Sequence, residues 1–415
     1  MMRRSRRVVL LLAFAPLAAA RRLAAQGDTL TAAAARERVL ATSPVITAAR
    51  AGGEAAVERE RQTILLQAPE LDAEVGGEGP FKRVEGGLTY TVPLRSSAKT
   101  RALHAVLAAT QQRASAAVAV ASRRMMLRVT RAFYRAALLD RRVALDSEDA
   151  EAVAALAANA RQRRALGAAT DIDVLRLESE TSSAERRLIA DRAQRAVERA
   201  TLASLLGMPD DSLPALAFHI DSVRNDSSAL ALAGALAIAT VSGAELDVER
   251  ARATAAVARL YRWTDPRVGG GLGYQQGDPV LSAVVRIPLP SPGHNAHAIA
   301  AAGYDVRAAE ARLAQARRDS AITTRTVALL REAAARQLAN LGADLARRRE
   351  AEMLARRRLD EGGPYLQIWL DVRRDRLALE REELDLVLAL TTAAPVAGAV
   401  PDAVLMPGES AVEGP

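Results

Sequence analysis

The chain is 415 residues long and half apolar, yet Phe, Trp and Tyr together make up only 3%. Such a composition suits long helices joined along thin Ala, Leu and Val seams and argues against a large aromatic-lined core. The net charge of +8 does not signal nucleic-acid binding: Arg3, Arg4, Arg6, Arg7, Arg21 and Arg22 precede Asp28 with no acid among them, and without these six the balance falls to +2, leaving no basic stripe.

In chain order, the early arginines lead into an apolar run at residues 8–20 and small residues up to Gly27. This reads as a signal peptide over residues 1–26, too short for a permanent membrane helix. A first structural unit follows over residues 27–208, opening with a helical stretch at residues 30–67. Two strands come next. Leu71, Ala73 and Val75 alternate with Asp72, Glu74 and Gly76; Val84, Gly86, Leu88, Tyr90, Val92 and Leu94 alternate with Glu85, Gly87, Thr89, Thr91 and Pro93. From residue 96 to 206 there is no proline, and Gly167 is the only glycine. That predicts a helical hairpin broken at Gly167, since glycine takes the left-handed conformation that ends helices. Met126, Val129, Phe133, Ala136, Leu139 and Val143 step by three or four, as a coiled-coil seam requires.

The arm lengths carry a geometric argument. The 70 residues of the outgoing arm, 97–166, span roughly 105 Å as a helix, whereas the 39 of the returning arm, 168–206, span only about 58 Å. The stretch at 30–67 supplies about 57 Å more, so two short helices stacked end to end match the long one.

A linker at residues 209–228 leads to a second unit over residues 229–393. Val92-Pro93-Leu94 returns as Ile287-Pro288-Leu289, 195 positions later, and Gly362 follows Pro288 by the same 74 residues that separate Gly167 from Pro93. The architecture is therefore duplicated. Its strands carry Val268, Gly270, Leu272 and Tyr274, then Leu281, Ala283, Val285, Ile287 and Leu289. Its rod runs over 294–392 with a tip at Gly362-Gly363-Pro364, and an Ala-, Pro- and Gly-rich tail at 394–415 reads as disordered. One greasy and one polar face over nine to eleven residues fits a transmembrane β-barrel strand, and equally a soluble hairpin packed on a helix. The exported, repeated context favours the membrane. Four strands cannot close a barrel, and open edges are not tolerated in lipid, so the chain must oligomerise; three copies would supply twelve strands.

Several motifs then fall into one order. Lys99 and Arg101 open the first rod, and Ala203-Ser204-Leu205-Leu206-Gly207 closes the first unit. Arg163-Arg164-Ala165-Leu166-Gly167 precedes Asp171-Ile172-Asp173-Val174-Leu175. Arg358-Leu359-Asp360-Glu361-Gly362 precedes Trp369-Leu370-Asp371-Val372. With the duplication, this resembles the TolC-like outer membrane efflux proteins, near the metal-cation and drug subgroup, over about residues 30–390. The resemblance implies a mainly α fold with a small β part: a homotrimer whose duplicated helical hairpins form a helical barrel across the periplasm and whose strands share a 12-stranded transmembrane barrel in the outer membrane. It implies a passive export duct working with a periplasmic adaptor (membrane fusion) protein and an inner-membrane pump. By the same resemblance, Asp173 helps hold the periplasmic tip shut and Asp371 lines its constriction. Gly167, Gly362, Arg163 and Arg358 mark the hairpin tips where an adaptor docks. The chain departs from the family pattern at Arg164, Leu359, Pro364 and Ile368.

No Ser-His-Asp set, phosphate loop or paired-carboxylate site appears, so no enzyme and no cofactor is expected. His294 and His297 share a helical face, but a solvated pair accounts for them better than a metal site. The alternative is a non-transporting periplasmic coiled-coil adaptor or scaffold. The exported substrate is not written in these residues.

Overall fold

The structure, a computed structural model, describes residues 29–65, 69–76, 85–209, 212–218, 220, 228–262, 265–275, 278–287, 295–361 and 366–392. The expected signal peptide, the second tip at Gly362-Gly363-Pro364, His294 and the tail lie outside these residues. In chain order the elements are β1 (Thr29–Leu30), α1 (Ala32–Thr42), α2 (Pro44–Ile64), β2 (Glu70–Gly76), β3 (Glu85–Pro93), α3 (Ser97–Ala165), α4 (Asp171–Leu205), β4 (Ala215–Leu216), α5 (Ser228–Leu260), β5 (Arg267–Gln275), β6 (Asp278–Arg286), α6 (Ala296–Asp360) and α7 (Leu366–Thr392).

The long rods are continuous. α3 has 69 residues and α6 has 65, and neither contains a proline. The stretch expected as one helix over 30–67 is instead two, α1 and α2. Thr31 caps the first, its hydroxyl accepting from Ala34 N at 3.2 Å. Ser43 turns extended at ψ 120° because Pro44 follows, and proline disfavours a helical residue before it while fitting well at a helix start.

Two compact units emerge, and they cut across the sequence repeats. Of the described residues, one gathers those of 29–44, 122–236 and 321–392; the other gathers those of 45–121 and 237–320. Each takes pieces of both copies, because a long hairpin contributes its near part to one unit and its far part to the other.

In the first unit, one core cluster draws on four helices: Val153, Ala157 and Ala160 of α3, Val174 and Leu177 of α4, Ala355 of α6, and Trp369 and Leu370 of α7. Trp369 is 1% exposed. Further along α3 the expected narrow seam broadens. Val129, Phe133, Ala136, Leu139 and Val143 are buried as predicted, but so are Ala132, Tyr134, Ala137 and Leu138, and Met125 is buried in place of Met126. The reason is extra cover: the Tyr134 ring meets Phe133 edge-on at 5.5 Å and Phe218 at 6.5 Å. Described parts of the linker dock here. β4 pairs in parallel with β1, and Arg199 holds Leu213 and Pro214 carbonyls at 2.9 and 3.3 Å. Arg38 Nε reaches the Leu206 carbonyl at 3.0 Å, meeting the end of α4.

In the second unit, the four strands form one antiparallel sheet in the order β2-β3-β5-β6. Arg95 donates to the Ile64 carbonyl at 2.6 Å and to those of Thr63 and Leu65, capping α2 against its own C-terminal dipole. Lys99, 4% exposed, bonds Asp265 at 2.7 Å and stands 4.7 Å from the Tyr261 ring centre. This ties the start of α3 to the approach to β5.

Candidate functional site

The sheet is inside-out. Register places Leu71 and Ala73 of β2, Leu88 and Tyr90 of β3, Leu272 and Tyr274 of β5, and Leu281 and Val285 of β6 on one face. That face is open: Leu272 is 67% and Leu281 81% exposed. The opposite face carries Glu70, Asp72 and Glu74, Thr89 and Thr91, Arg267, Ser282 and Arg286. Thr91 is fully buried there, and Arg267 contacts Glu70. Soluble antiparallel sheets bury the apolar face and wet the polar one; this sheet leaves its apolar face as open as its polar one, as a wall with one side to lipid would.

The first hairpin end is capped on both sides. Gly167 has φ 74°, and a Schellman pair closes α3: Ala168 N to Arg163 O at 2.7 Å and Gly167 N to Arg164 O at 2.9 Å. α4 then opens on a capping box. Thr170 Oγ1 accepts from Asp173 N at 3.2 Å, while Asp173 Oδ2 accepts from Thr170 N at 3.3 Å and from its hydroxyl at 2.7 Å. Arg164 pairs with Asp171 across the turn. Around this rigid turn Leu166, Ile172 and Leu175 are exposed, an apolar tip without cover in the single chain.

A polar ribbon joins α4 to α7 nearby. Arg176 donates to Gln367 Oε1 at 3.0 Å, and Gln367 Nε2 donates to both Asp371 oxygens at 3.1 and 3.0 Å. Arg374 pairs with Glu180 and stands 3.7 Å from Asp371. Deeper in the same unit lies a buried ionic lattice. Asp149, 3% exposed, takes Arg187 at 3.1 Å and Arg373 at 2.9 Å, and Asp146 takes Arg381 at 2.5 Å. Arg142 Nε bonds Asp191 at 2.9 Å. Burial, together with the neighbouring Asp146 carboxylate, pushes the Asp191 carboxyl up to about 6. Asp146 is held below the usual range by its bond from Asp191 and by Arg381 and Arg142, which overcome its own desolvation. One proton shared between the two explains both directions. Among the described residues no group of three His, Cys, Asp or Glu is placed to hold a metal ion.

No protein-family model and no curated protein matches the sequence. Solved structures do. VceC, an outer membrane protein of Vibrio cholerae, superposes with a TM-score of 0.65 at 15% identity over 87% of this chain and 95% of its own. The Campylobacter jejuni outer membrane channel CmeC gives 0.68 at 12% identity, covering 87% and 83%. The outer membrane channel MtrE of Neisseria gonorrhoeae, solved in its open state, gives 0.63 at 17% identity, covering 86% of both. The chain has the fold of these outer-membrane proteins. Within that fold, the mainly helical architecture with few strands is as the sequence led one to expect.

The residues singled out in the sequence fall into two groups. Gly167 and Arg163 lie in the Schellman turn, Asp173 in the capping box and Asp371 in the polar ribbon, all in one compact unit. Arg358 sits in the last turn of α6, beside Leu359, which packs against the Trp369 cluster. Gly362 lies outside the described residues. Sequence reasoning missed the Arg176–Gln367 and Arg374–Glu180 bridges and the whole Asp146–Asp149–Asp191 lattice. Its one visible signal was Asp146 and Asp149 standing three apart within the apolar run of Val143, Leu145, Ala150 and Val153.

Proposed function

We propose that this protein is the channel subunit of a tripartite export system in the outer membrane: three chains enclose a passive duct whose sheets share one transmembrane barrel and whose helices stand in the periplasm. The inside-out sheet carries this reading. Its greasy face asks for lipid, and its two open edges ask for further copies. The likeness in fold to outer membrane channels supports it. The duct has no energy source of its own, so an adaptor and an inner-membrane pump would load it. Their docking point is the apolar tip around Gly167, Arg163 and Leu166, with Gly362 and Arg358 as its counterpart on the second hairpin. Asp371 would form a ring of three carboxylates at the periplasmic constriction, favouring cations over anions, and Asp173 would add to the closing contacts. The cargo, a metal cation, a drug or another small molecule, is chosen by the pump.

Membrane fractionation followed by native mass spectrometry in detergent and planar-bilayer conductance tests the proposal. A trimer from the outer membrane that opens discrete channels is expected. Recovery as a soluble periplasmic monomer would instead identify a coiled-coil scaffold.

A further inference from the structure

The two open edges differ in charge. Near the helix-proximal end of the sheet, β2 carries Glu70 and Asp72 on its polar face, while β6 carries Arg286 there. In the single chain Arg286 Nη1 lies 2.8 Å from Asp72 Oδ2, a contact between the first and last strands of the sheet. Adjacent strands are about 4.8 Å apart, so these edges would stand roughly 14 Å apart if the sheet were flat. The sheet must therefore curl toward its polar face. Glycines on β5 make the room: a Cβ at Gly271 would sit 2.8 Å from Ser282 Oγ and 2.9 Å from Thr89 Oγ1. Curling brings the edge charges together but not the edge backbones, because four strands are too few to close a barrel.

The strand directions show what completes the edges. Each pairing from β2 through β3 and β5 to β6 is antiparallel, so β6 runs opposite to β2. The β6 of one copy can then continue into the β2 of another with the alternation unbroken. Such a junction is heterologous, and repeating it by rotation closes a ring. It sets the basic end of β6 against the acidic end of β2, whereas β2 against β2 would oppose Glu70 and Asp72 to their own kind. A one-residue slip would turn Arg286 to the apolar face.

We propose that Asp72 and Arg286 exchange partners on assembly: paired within one chain before assembly, they pair between chains afterwards, Arg286 of each copy meeting Asp72 of the next. The pair thereby selects which edges join and in which register. This rests on the trimeric-channel reading, deepening it to the junction between copies.

The chain has no cysteine, so a disulfide can report the partner directly. The full-length Asp72→Cys/Arg286→Cys double variant is expressed into outer membranes, oxidised with copper phenanthroline and run on denaturing gels without reductant. Covalent dimers and trimers are expected as the main products. A trimer by native mass spectrometry that yields only uncrosslinked or intrachain-linked monomer would overturn the exchange. A wild-type protein that is itself monomeric would sink the trimeric reading instead, so the two failures are separable. Charge reversal supplies a second readout that needs no oxidation. Asp72→Arg and Arg286→Asp should each lower trimer yield several-fold, and co-expression of the two chains should restore part of it, since each mixed trimer recovers opposite charges between chains at all but one of its junctions. Co-expression that performs no better than either variant alone would confine the pair to one chain.

Discussion

The sheet of one unit and the helices of the other solve opposite problems with the same amino acids. In the sheet, leucines and tyrosines face outward and the charges gather on the inner face, with Leu281 81% exposed and Thr91 fully buried. In the helical unit, leucines and alanines pack inward, yet Asp146 and Asp149 are driven into the core beside them. The sheet can leave its apolar face open only if something apolar covers it. The helices can bury carboxylates only because Arg187, Arg373 and Arg381 meet them there. The apolar face of the sheet is uncovered in one chain, whereas Asp146 and Asp149 each meet an arginine within it.

That contrast can be broken most forcefully in the helices. Asp149→Ala removes the buried carboxylate that Arg187 and Arg373 share, although Arg373 keeps Glu352 at 3.1 Å. Leaving a buried charge unpaired costs about 3–5 kcal/mol; here Arg187 reaches solvent and Arg373 stays paired, so the loss should be smaller than that yet still the largest fall in melting temperature among these variants. Asp149→Asn keeps the acceptor oxygen and should fall between it and wild type. Equal thermal stability for all three proteins would show that the lattice is solvated.

The sheet side is tested by two substitutions three residues apart on β6. Leu281→Arg puts a charge on the open apolar face, worth about 2–4 kcal/mol near a bilayer midplane, and should sharply reduce the protein assembled in outer membranes. Val284→Arg, on the polar face by register with Gly269, should be tolerated. If the two variants assemble alike, the open face does not meet lipid.

Much of this was legible before any coordinates. The strand alternation put Leu88 and Leu272 on greasy faces without placing them opposite each other, and Gly167 announced the turn. The break at Pro44 follows from the local rule that proline keeps the residue before it out of a helix. Thr170-x-x-Asp173 has the form of a capping box, which gives Asp173 a local structural role. The ionic lattice could not be read, because pairing Asp149 with Arg373 requires knowing which of several long, similar helices meet at that height. Periodicity gives the buried face of a helix, not the identity of its neighbour.

A subtler difference between the regions lies in pH dependence. Asp191 keeps its proton up to about pH 6 in the folded chain, whereas an unfolded carboxyl releases it near 4. Between these values the folded state binds more protons. Stability from this group is fully present below about pH 4 and is lost as pH rises through 6. Asp146, held low, works in the other direction: its contribution is present above the ordinary value and fades only at more acidic pH. Asp191→Asn should therefore flatten the melting-temperature profile between pH 4 and 6, matching wild type at the acid end and equalling or exceeding it at pH 7.5. An unchanged slope would mean the two carboxyls do not share a proton.

The smallest expected effect on stability is at Asp371, which makes it the sharpest probe of function. Its side chain is half exposed, and its bonds from Gln367 can be kept by an amide, so Asp371→Asn should not shift the melting temperature or the trimer yield. A solvated helix acid would be silent in every other respect too. Three carboxylates around a narrow pore would not be. At 0.01 M salt the screening length is about 30 Å, so the ring's field would fill the constriction and hold cations there; at 1 M it is about 3 Å and the field collapses to the wall. Cation preference in planar bilayers should thus drop several-fold for Asp371→Asn at low salt and hardly at all at high salt. Ile368, one turn earlier on the same helix, supplies no charge to compensate. A salt-independent change would point to altered packing around Gln367 and Arg176, and no change at either salt would place the constriction away from Asp371.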